Sequence, residues 1–139
     1  KKRFKDGWFC TGDLGYFDKH NNIYIEDRLD NMIIVSGENI YPSEIEKYLP
    51  QLKNLKEGYV IGLNDPIKGN QICLVYKSEF KNDEILVKNW RKILIKNLPF
   101  YKVPSKILNI NTLMSKDFPR LSNGKIDKKR LAILVNSHG

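Results

Sequence analysis

Residues 57–77 of this chain read EGYVIGLNDPIKGNQICLVYK, and this stretch decides the fold. Residues 57–63 and 70–77 are apolar runs rich in β-branched and aromatic side chains, which predicts two strands. Between them lie the turn formers Asn64-Asp65-Pro66 and Lys68-Gly69. We therefore expect a small sheet at the centre of the molecule.

Helical patterns lie on either side of these two strands. Residues 42–49 begin with Pro at the first helical position and have acidic residues in the first turn, which favours a helix start. Downstream, Asn82 or Asp83 can cap a helix that runs to about Asn97. Its apolar side carries Leu86, Trp90, Ile93 and Leu94.

The remaining segments complete an α+β pattern. Residues 7–28 read as an aromatic strand followed by a hairpin, whose turn at 18–22 contains Asn, a residue that tolerates positive φ. Strands are also expected at 32–35 and 106–113, and a last helix is capped by Asp127. The predicted fold is a central β-sheet packed by helices on one or both faces, preceded by a β-hairpin.

Composition narrows the class of protein. The chain has 139 residues, 41% of them hydrophobic, which suffices for one compact domain, and no apolar run is long enough to cross a bilayer. The net charge of +8 has its densest basic run at 125–130, where no aromatic residues interleave as base stacking would require. We expect no specific nucleic-acid binding, and a small basic module for nucleic acid or an acidic carrier protein remains the alternative.

Two cysteines and the start of the chain indicate its setting. Cys10 and Cys73 lie far apart without a companion His pattern, so we expect buried free thiols in a reducing cytoplasm and no metal site. The first residues lead into no hydrophobic stretch and include no initiator Met. We therefore expect the chain to be part of a longer protein.

Three short constellations carry chemical interest, although each alone has an ordinary explanation. Thr11-Gly12-Asp13 alone would be a turn with a solvated carboxylate. Residues 27–30, Asp-Arg-Leu-Asp, alone would be a surface ion-pair cluster. Residues 121–125, Leu-Ser-Asn-Gly-Lys, alone would be a loop that ends in an exposed lysine.

Taken in order, these segments resemble a known superfamily. The matching stretches are 8–13 (WFCTGD), 27–34 (DRLDNMII), 37–46 (GENIYPSEIE) and 119–126 (PRLSNGKI). Together they closely resemble the adenylate-forming superfamily of acyl-CoA synthetases, peptide-synthetase adenylation domains and luciferases, with the acyl-CoA synthetase branch fitting best. The resemblance implies that residues 30–139 form a C-terminal mobile lid domain and that 1–29 are the edge of an N-terminal domain.

The resemblance also implies an activity and its residues. The family activates a carboxylic acid with ATP and Mg²⁺ to an acyl-adenylate and then transfers the acyl group to CoA; loading of a carrier protein is the alternative. Lys125 matches the catalytic lysine that reaches the substrate carboxylate and the α-phosphate. Asp13 matches the aspartate that receives the ribose hydroxyls, and Arg28 matches a nucleotide-binding arginine. By itself, the chain is expected to be catalytically incomplete.

Two further roles concern the movement of the lid. Asp30 matches the hinge about which the family's C-terminal domain swings between two conformations. Gly37 and Glu38 match the segment that lines the channel for CoA or its pantetheine arm. The family commonly has Ser-Gly-Gly where this chain has Ser36-Gly37, so one small residue is missing from that segment. The expected partners are the chain's own N-terminal domain, the carboxylic acid and CoA.

Overall fold

The computed structural model describes residues 4–80, 83–113 and 117–137. Its strands and α-helices, in chain order, are β1 (Phe4–Lys5), β2 (Trp8–Phe9), β3 (Asp13–Phe17), β4 (Ile23–Arg28), β5 (Ile33–Val35), β6 (Glu38–Ile40), α1 (Pro42–Glu46), β7 (Glu57–Asp65), β8 (Gly69–Lys77), α2 (Glu84–Asn97), β9 (Lys106–Asn109) and α3 (Lys128–Asn136). The α+β fold class predicted from the sequence is confirmed.

The central sheet has three strands in the order β7-β8-β9. Strands β7 and β8 form an antiparallel hairpin in which Val60 lies opposite Leu74, and β9 runs parallel to β8 with Ile107 beside Leu74. The hairpin is the 57–77 stretch quoted above, and both predicted strands are confirmed. Helix α2 makes the crossover between the two parallel strands, as a parallel pair requires.

Helices cover both faces of the sheet, and the alternation of side chains along the strands explains why. Val60, Leu74 and Tyr76 belong to a core with α1, α2 and the β5-β6 hairpin. Ile61, Cys73 and Val75 point the other way and pack with α3. Strand β8 is buried on both faces, which is why residues 72–76 form a continuous apolar run.

Local chemistry defines the helix ends. Helix α1 begins with Pro42, and the Glu44 carboxylate accepts a hydrogen bond from the Tyr41 N–H at 3.0 Å. The Asp127 carboxylate caps α3 by accepting from the Arg130 N–H at 3.0 Å, as predicted. Asp83 precedes α2, but its carboxylate accepts from the Tyr76 hydroxyl at 2.9 Å instead of capping the helix. Asn82, the other predicted cap, lies outside the described residues.

Two predicted strands are shorter than expected, and two strands, β1 and β6, were not predicted. The 7–13 segment pairs only at β2, because the positive φ of Gly7 and Gly12 bends the chain at both ends. The 106–113 segment leaves the sheet after Asn109 and continues as a 3₁₀ turn, Ile110–Thr112. Strand β6 was not predicted, because its residues alternate poorly: Glu38 and Asn39 are exposed and only Ile40 is buried.

The N-terminal hairpin differs from the rest of the chain in its burial. Strands β3 and β4 pair as predicted, with Asn21 in their turn at φ 62°. None of residues 4–29 is buried, although the hairpin carries large apolar side chains such as Phe17 and Ile25. Cys10 is therefore exposed, which contradicts the expected burial of both thiols, whereas Cys73 is buried in the sheet. Burial raises the pKa of the Cys73 thiol to about 12.

Candidate functional site

Asp13 and Arg28, predicted as nucleotide-binding residues, lie opposite each other at the open end of the β3-β4 hairpin. The Arg28 guanidinium Nη1 is 3.2 Å from Asp13 Oδ1, and its Nη2 donates to the Thr11 carbonyl at 3.2 Å. Gly12, which lies between Thr11 and Asp13 in the chain, makes the turn with φ 82°. The hairpin thus brings together two motifs that are 15 residues apart, and the Asp13 side chain stays about a third exposed.

Asp27 connects this hairpin to helix α1. Its Oδ2 accepts from the Ser43 N–H at 2.9 Å, and its Oδ1 accepts from the Arg28 N–H at 2.7 Å and the Asn31 side chain at 2.9 Å. Burial alone would raise the pKa of Asp27, but the hydrogen bonds from Asn31, Ser43 and Arg28 outweigh it and lower the pKa below its usual value. The carboxylate is therefore held in its charged form.

Asp30, the predicted hinge, lies in a single 3₁₀ turn, Leu29–Asn31. The turn follows Arg28, which has extended backbone geometry, and ends at Met32, where the chain enters β5. The side chain of Asp30 is half-exposed, and its Oδ2 is 3.9 Å from Lys129 Nζ on α3. A cavity beside this turn is lined by Met32, Val60, Lys128 and Ala132.

Gly37 and Glu38 lie at the tip of the β5-β6 hairpin. Ser36 and Gly37 both have positive φ, 51° and 89°, which is the geometry of a two-residue type I′ turn. A Cβ on Gly37 would meet nothing within 4 Å, so the backbone conformation, not crowding, requires glycine here. The turn is attached to the rest of the domain by the Ser36 N–H, which donates to the Lys68 carbonyl at 2.9 Å.

Lys125 is exposed at the end of an ordered loop that precedes α3. The Leu121 N–H donates to the Lys125 carbonyl at 2.8 Å, and the Gly124 N–H donates to the Leu121 carbonyl at 2.9 Å. The Lys125 N–H donates to Asn123 Oδ1 at 3.1 Å. The main chain at this lysine is thus fixed by hydrogen bonds, while its side chain projects from the surface.

Two ion pairs hold the ends of this loop on the rest of the domain, one on strand β7 and one on helix α1. At its start, the Arg120 guanidinium contacts the Glu57 carboxylate. At its end, Lys128 Nζ lies 2.7 Å from Glu46 Oε1, which also accepts from the Val60 N–H at 2.7 Å. The Lys128 side chain is only 15% exposed, so this second pair is largely shielded from water.

The predicted site residues therefore lie in four separate segments of the fold: a hairpin end, a hinge turn, a glycine turn and a lysine loop. The structure brings Asp13 and Arg28 into contact. Within residues 4–80, 83–113 and 117–137, no hydrogen bond or ion pair joins Lys125 to either of them. Asp30 approaches the lysine segment only through Lys129.

Two kinds of feature are absent from the described residues, a cluster of metal-ligand side chains and a membrane-spanning helix. No group of three or more His, Cys, Asp or Glu side chains converges among them. Likewise, no helix in the described part of the chain is long and apolar enough to cross a membrane.

Several residues of the site were not found from the sequence. Asp27 was part of a recognised motif, but its partner Ser43 follows 16 residues later and no spacing rule links them. Glu57 and Arg120 are 63 residues apart, and Glu46 and Lys128 are 82 apart. Only the antiparallel and stacked arrangement of the elements reveals these pairs.

No family model matches the chain, but the chain is similar to several curated proteins and solved structures. A 2-succinylbenzoate–CoA ligase of Listeria monocytogenes is 36% identical over 130 residues, which are 92% of this chain and 26% of that protein. A solved fatty acyl CoA synthetase of Mycobacterium tuberculosis matches with a TM-score of 0.75 and 33% identity, over 98% of this chain and 26% of that one. The o-succinylbenzoate CoA synthetase of Bacillus subtilis, in complex with its acyl-adenylate intermediate, matches with a TM-score of 0.77 and 29% identity, over 93% and 25%.

The chain spans about a quarter of the length of these proteins. The comparisons do not favour the alternative of a nucleic-acid-binding module. The sequence and structural matches to these relatives each extend over more than nine-tenths of the chain. By sequence and by fold, this chain belongs to the adenylate-forming acyl-CoA synthetases and corresponds to their C-terminal part.

Proposed function

We propose that this chain is the mobile lid domain of an AMP-forming acid–thiol ligase, which adenylates a carboxylic acid with ATP and passes the acyl group to CoA. The observation that carries the proposal is Lys125, an exposed cation presented by a loop whose main chain is held by hydrogen bonds within the loop. A side chain in this position is suited to enter a site built by another domain. ATP and its Mg²⁺ would be bound mainly by that domain.

In the adenylation step, a carboxylate oxygen of the acid attacks the α-phosphorus of ATP, and the bond to pyrophosphate breaks. Negative charge builds up on the oxygens around phosphorus as the new bond forms. The Lys125 ammonium would balance that charge, and donors of this kind typically contribute about 3–4 kcal/mol to the transition state. No proton has to leave Lys125, because its role is electrostatic.

Asp13 and Arg28 would hold the nucleotide at the edge of the lid. A carboxylate can accept hydrogen bonds from both hydroxyls of a ribose, and Arg28 contacts only one of the two Asp13 oxygens. Arg28 would thereby orient Asp13 for the ribose and bring positive charge to the phosphate side of the nucleotide. Both side chains remain accessible, as a ligand contact requires.

The burial pattern supports a domain boundary between residues 29 and 30. None of residues 4–29 is buried, and both apolar cores lie beyond Asp30. We infer that residues 1–29 pack on an N-terminal domain and that 30–139 move as one body about the Asp30 turn. A few backbone dihedrals at such a boundary can absorb a large rotation. In the second orientation, the Gly37 and Glu38 turn would face the pantetheine arm.

The acceptor and the location are further parts of this proposal. CoA is the acceptor named for the relatives, and a carrier-protein pantetheine has the same thiol chemistry. Both cysteines of the chain are free thiols, which is the state expected in the reducing cytoplasm.

The proposal is tested with Lys125→Ala in the full-length enzyme. Adenylation, measured by pyrophosphate exchange, should fall at least a hundredfold, as for loss of a transition-state donor. Thioester formation from supplied acyl-adenylate should stay close to the unmodified rate. Lys92→Ala, which removes an exposed lysine from α2, is the control and should change neither step. Unchanged pyrophosphate exchange in Lys125→Ala would contradict the proposal.

A further inference from the structure

We infer that Arg120 is a positioning residue for Lys125, acting through the peptide group that joins Gly124 to the lysine. The inference rests on the proposed catalytic role of Lys125 and deepens it. Arg120 does not reach a substrate. It determines how the main chain presents the lysine when the lid closes.

The peptide bond between Gly124 and Lys125 is hydrogen-bonded on both sides. The Arg120 guanidinium Nη1 donates to the Gly124 carbonyl at 3.2 Å, on one side of this peptide group. On the other side, the Lys125 N–H donates to Asn123 Oδ1 at 3.1 Å. Both polar atoms of the peptide are therefore bound, and the plane from which the Lys125 side chain departs has a defined orientation. Gly124 makes this turn with φ 81°. Because glycine has no side chain to restrict its backbone dihedrals, the orientation of the peptide depends on these hydrogen bonds.

Arg120 is in turn fixed to the sheet. Its second nitrogen contacts the Glu57 carboxylate at the start of β7, and this partner raises the pKa of the Arg120 guanidinium. The same Glu57 oxygen accepts from the Tyr59 hydroxyl at 2.8 Å. The Tyr59 ring packs edge-on against Phe118 with 5.0 Å between centroids. The guanidinium thus bridges a rigid strand and a single loop carbonyl.

The planar fork of arginine is needed for this bridge. Its two nitrogens bind two different acceptors at once, whereas a lysine ammonium is a point charge on a flexible stem. A misplacement of about 1 Å in a catalytic group can cost on the order of a hundredfold in rate. Loss of Arg120 should therefore impair the adenylation step that uses Lys125 and spare the step that does not.

The experiment compares Arg120→Met, Arg120→Lys and Lys125→Ala in the full-length enzyme. Lys56→Met is the matched control, because it removes a cation paired with Glu79 at the same end of the sheet without touching the loop. We expect Arg120→Met to lower kcat for pyrophosphate exchange at least tenfold, with KM for ATP within twofold. Thioester formation from supplied acyl-adenylate should stay within twofold. Arg120→Lys should recover part of the adenylation rate, and Lys56→Met should behave as the unmodified enzyme.

The outcomes separate this inference from the proposed function. If Lys125→Ala abolishes exchange while Arg120→Met leaves it within twofold, Arg120 has no positioning role. If Arg120→Met lowers both half-reactions equally, in step with a fall in melting temperature, its role is only to stabilise the fold. If Lys125→Ala itself leaves exchange unchanged, the proposed function fails, and the positioning role fails with it.

Discussion

Asp27 and Ser43 are joined across the hinge turn: the Asp27 carboxylate accepts a hydrogen bond from the Ser43 N–H, with 2.9 Å between Oδ2 and nitrogen. Asp27 lies in the last strand of the hairpin that precedes Asp30, and Ser43 belongs to the first turn of α1 beyond it. The bond thus holds the two sides of the proposed hinge in one relative orientation. A rotation about Asp30 would have to break it.

Replacement of Asp27 should loosen this connection. An Asn at this position keeps one acceptor oxygen, but its amide group then faces one of the donors Ser43, Arg28 or Asn31. We expect Asp27→Asn to lower the free energy of unfolding by about 1.5–3 kcal/mol at neutral pH, the range for a hydrogen bond to a charged group. Urea denaturation measures this loss. Glu26→Gln, at the exposed neighbouring position, should leave stability unchanged.

The stability difference between the unmodified chain and Asp27→Asn should depend on pH. The pKa of Asp27 is lowered in the folded state, so its ionised form stabilises the fold above the unfolded pKa of about 4. This contribution disappears as the pH falls through the lower, folded pKa. The difference in stability between the unmodified chain and Asp27→Asn should therefore be constant above pH ~5 and shrink below pH ~4. A difference that grew at acidic pH would contradict the assignment.

Asp30→Pro should restrict the hinge. Proline excludes the helical region for the residue before it, here Leu29, which lies in the 3₁₀ turn. In the full-length enzyme, one half-reaction should slow more than the other, because the two require different lid orientations. Asp30→Ala removes the contact with Lys129 without restricting the backbone, and it should slow neither step. Equal slowing of both steps by Asp30→Pro would argue against a hinge at this residue.

Glu46→Ala should destabilise the lysine segment from its other end. The change leaves the ammonium of Lys128, 15% exposed, without its partner and the Val60 N–H without its acceptor. Breaking a shielded pair in this way costs about 3 kcal/mol. Glu79→Ala breaks an exposed pair with Lys56 and should cost less than ~0.5 kcal/mol. Thermal denaturation of both variants provides the comparison.

Ser36→Asn should stabilise the β5-β6 turn. Ser36 has φ 51° and is followed by Gly37, and Asn-Gly is the preferred pair for a type I′ turn. Because the position is exposed, packing does not oppose the change. We expect a gain of about 0.5 kcal/mol and a higher melting temperature. Ser36→Val places a β-branched residue in the left-handed region and should lower the melting temperature instead.

The central elements could be predicted from the sequence because their signals are local. The run at 72–76 has no polar interruption, Pro42 marks a helix start and Asp127 a helix cap. The prediction of a strand over 106–113 was wrong beyond Asn109, where the chain leaves the sheet. Residues 110–113 have strand-like composition, yet Ile110 is buried in a 3₁₀ turn under the sheet. No local pattern distinguishes such a turn from a continued strand.

The exposure of Cys10 illustrates a second limit. Its neighbours Trp8 and Phe9 are apolar, so composition favours burial, but the hairpin that carries them has no packing partner among the described residues. Burial depends on what covers a segment, and a strand pattern specifies only its two faces.

The motifs of the sequence by themselves determined the family, the α+β class and the residue types available for chemistry: a lysine after Asn-Gly, and acidic and basic residues around Asp-Arg-Leu-Asp. Only the tertiary structure decided which charges meet. Arg28 contacts Asp13 because strand register places them opposite each other, and Asp27 contacts Ser43 across the hinge turn. Arg120 contacts Glu57 although the two are 63 residues apart in the sequence. The reason is physical: a carboxylate or guanidinium is oriented by atoms within about 3 Å, and chain folding, not sequence spacing, brings those atoms together.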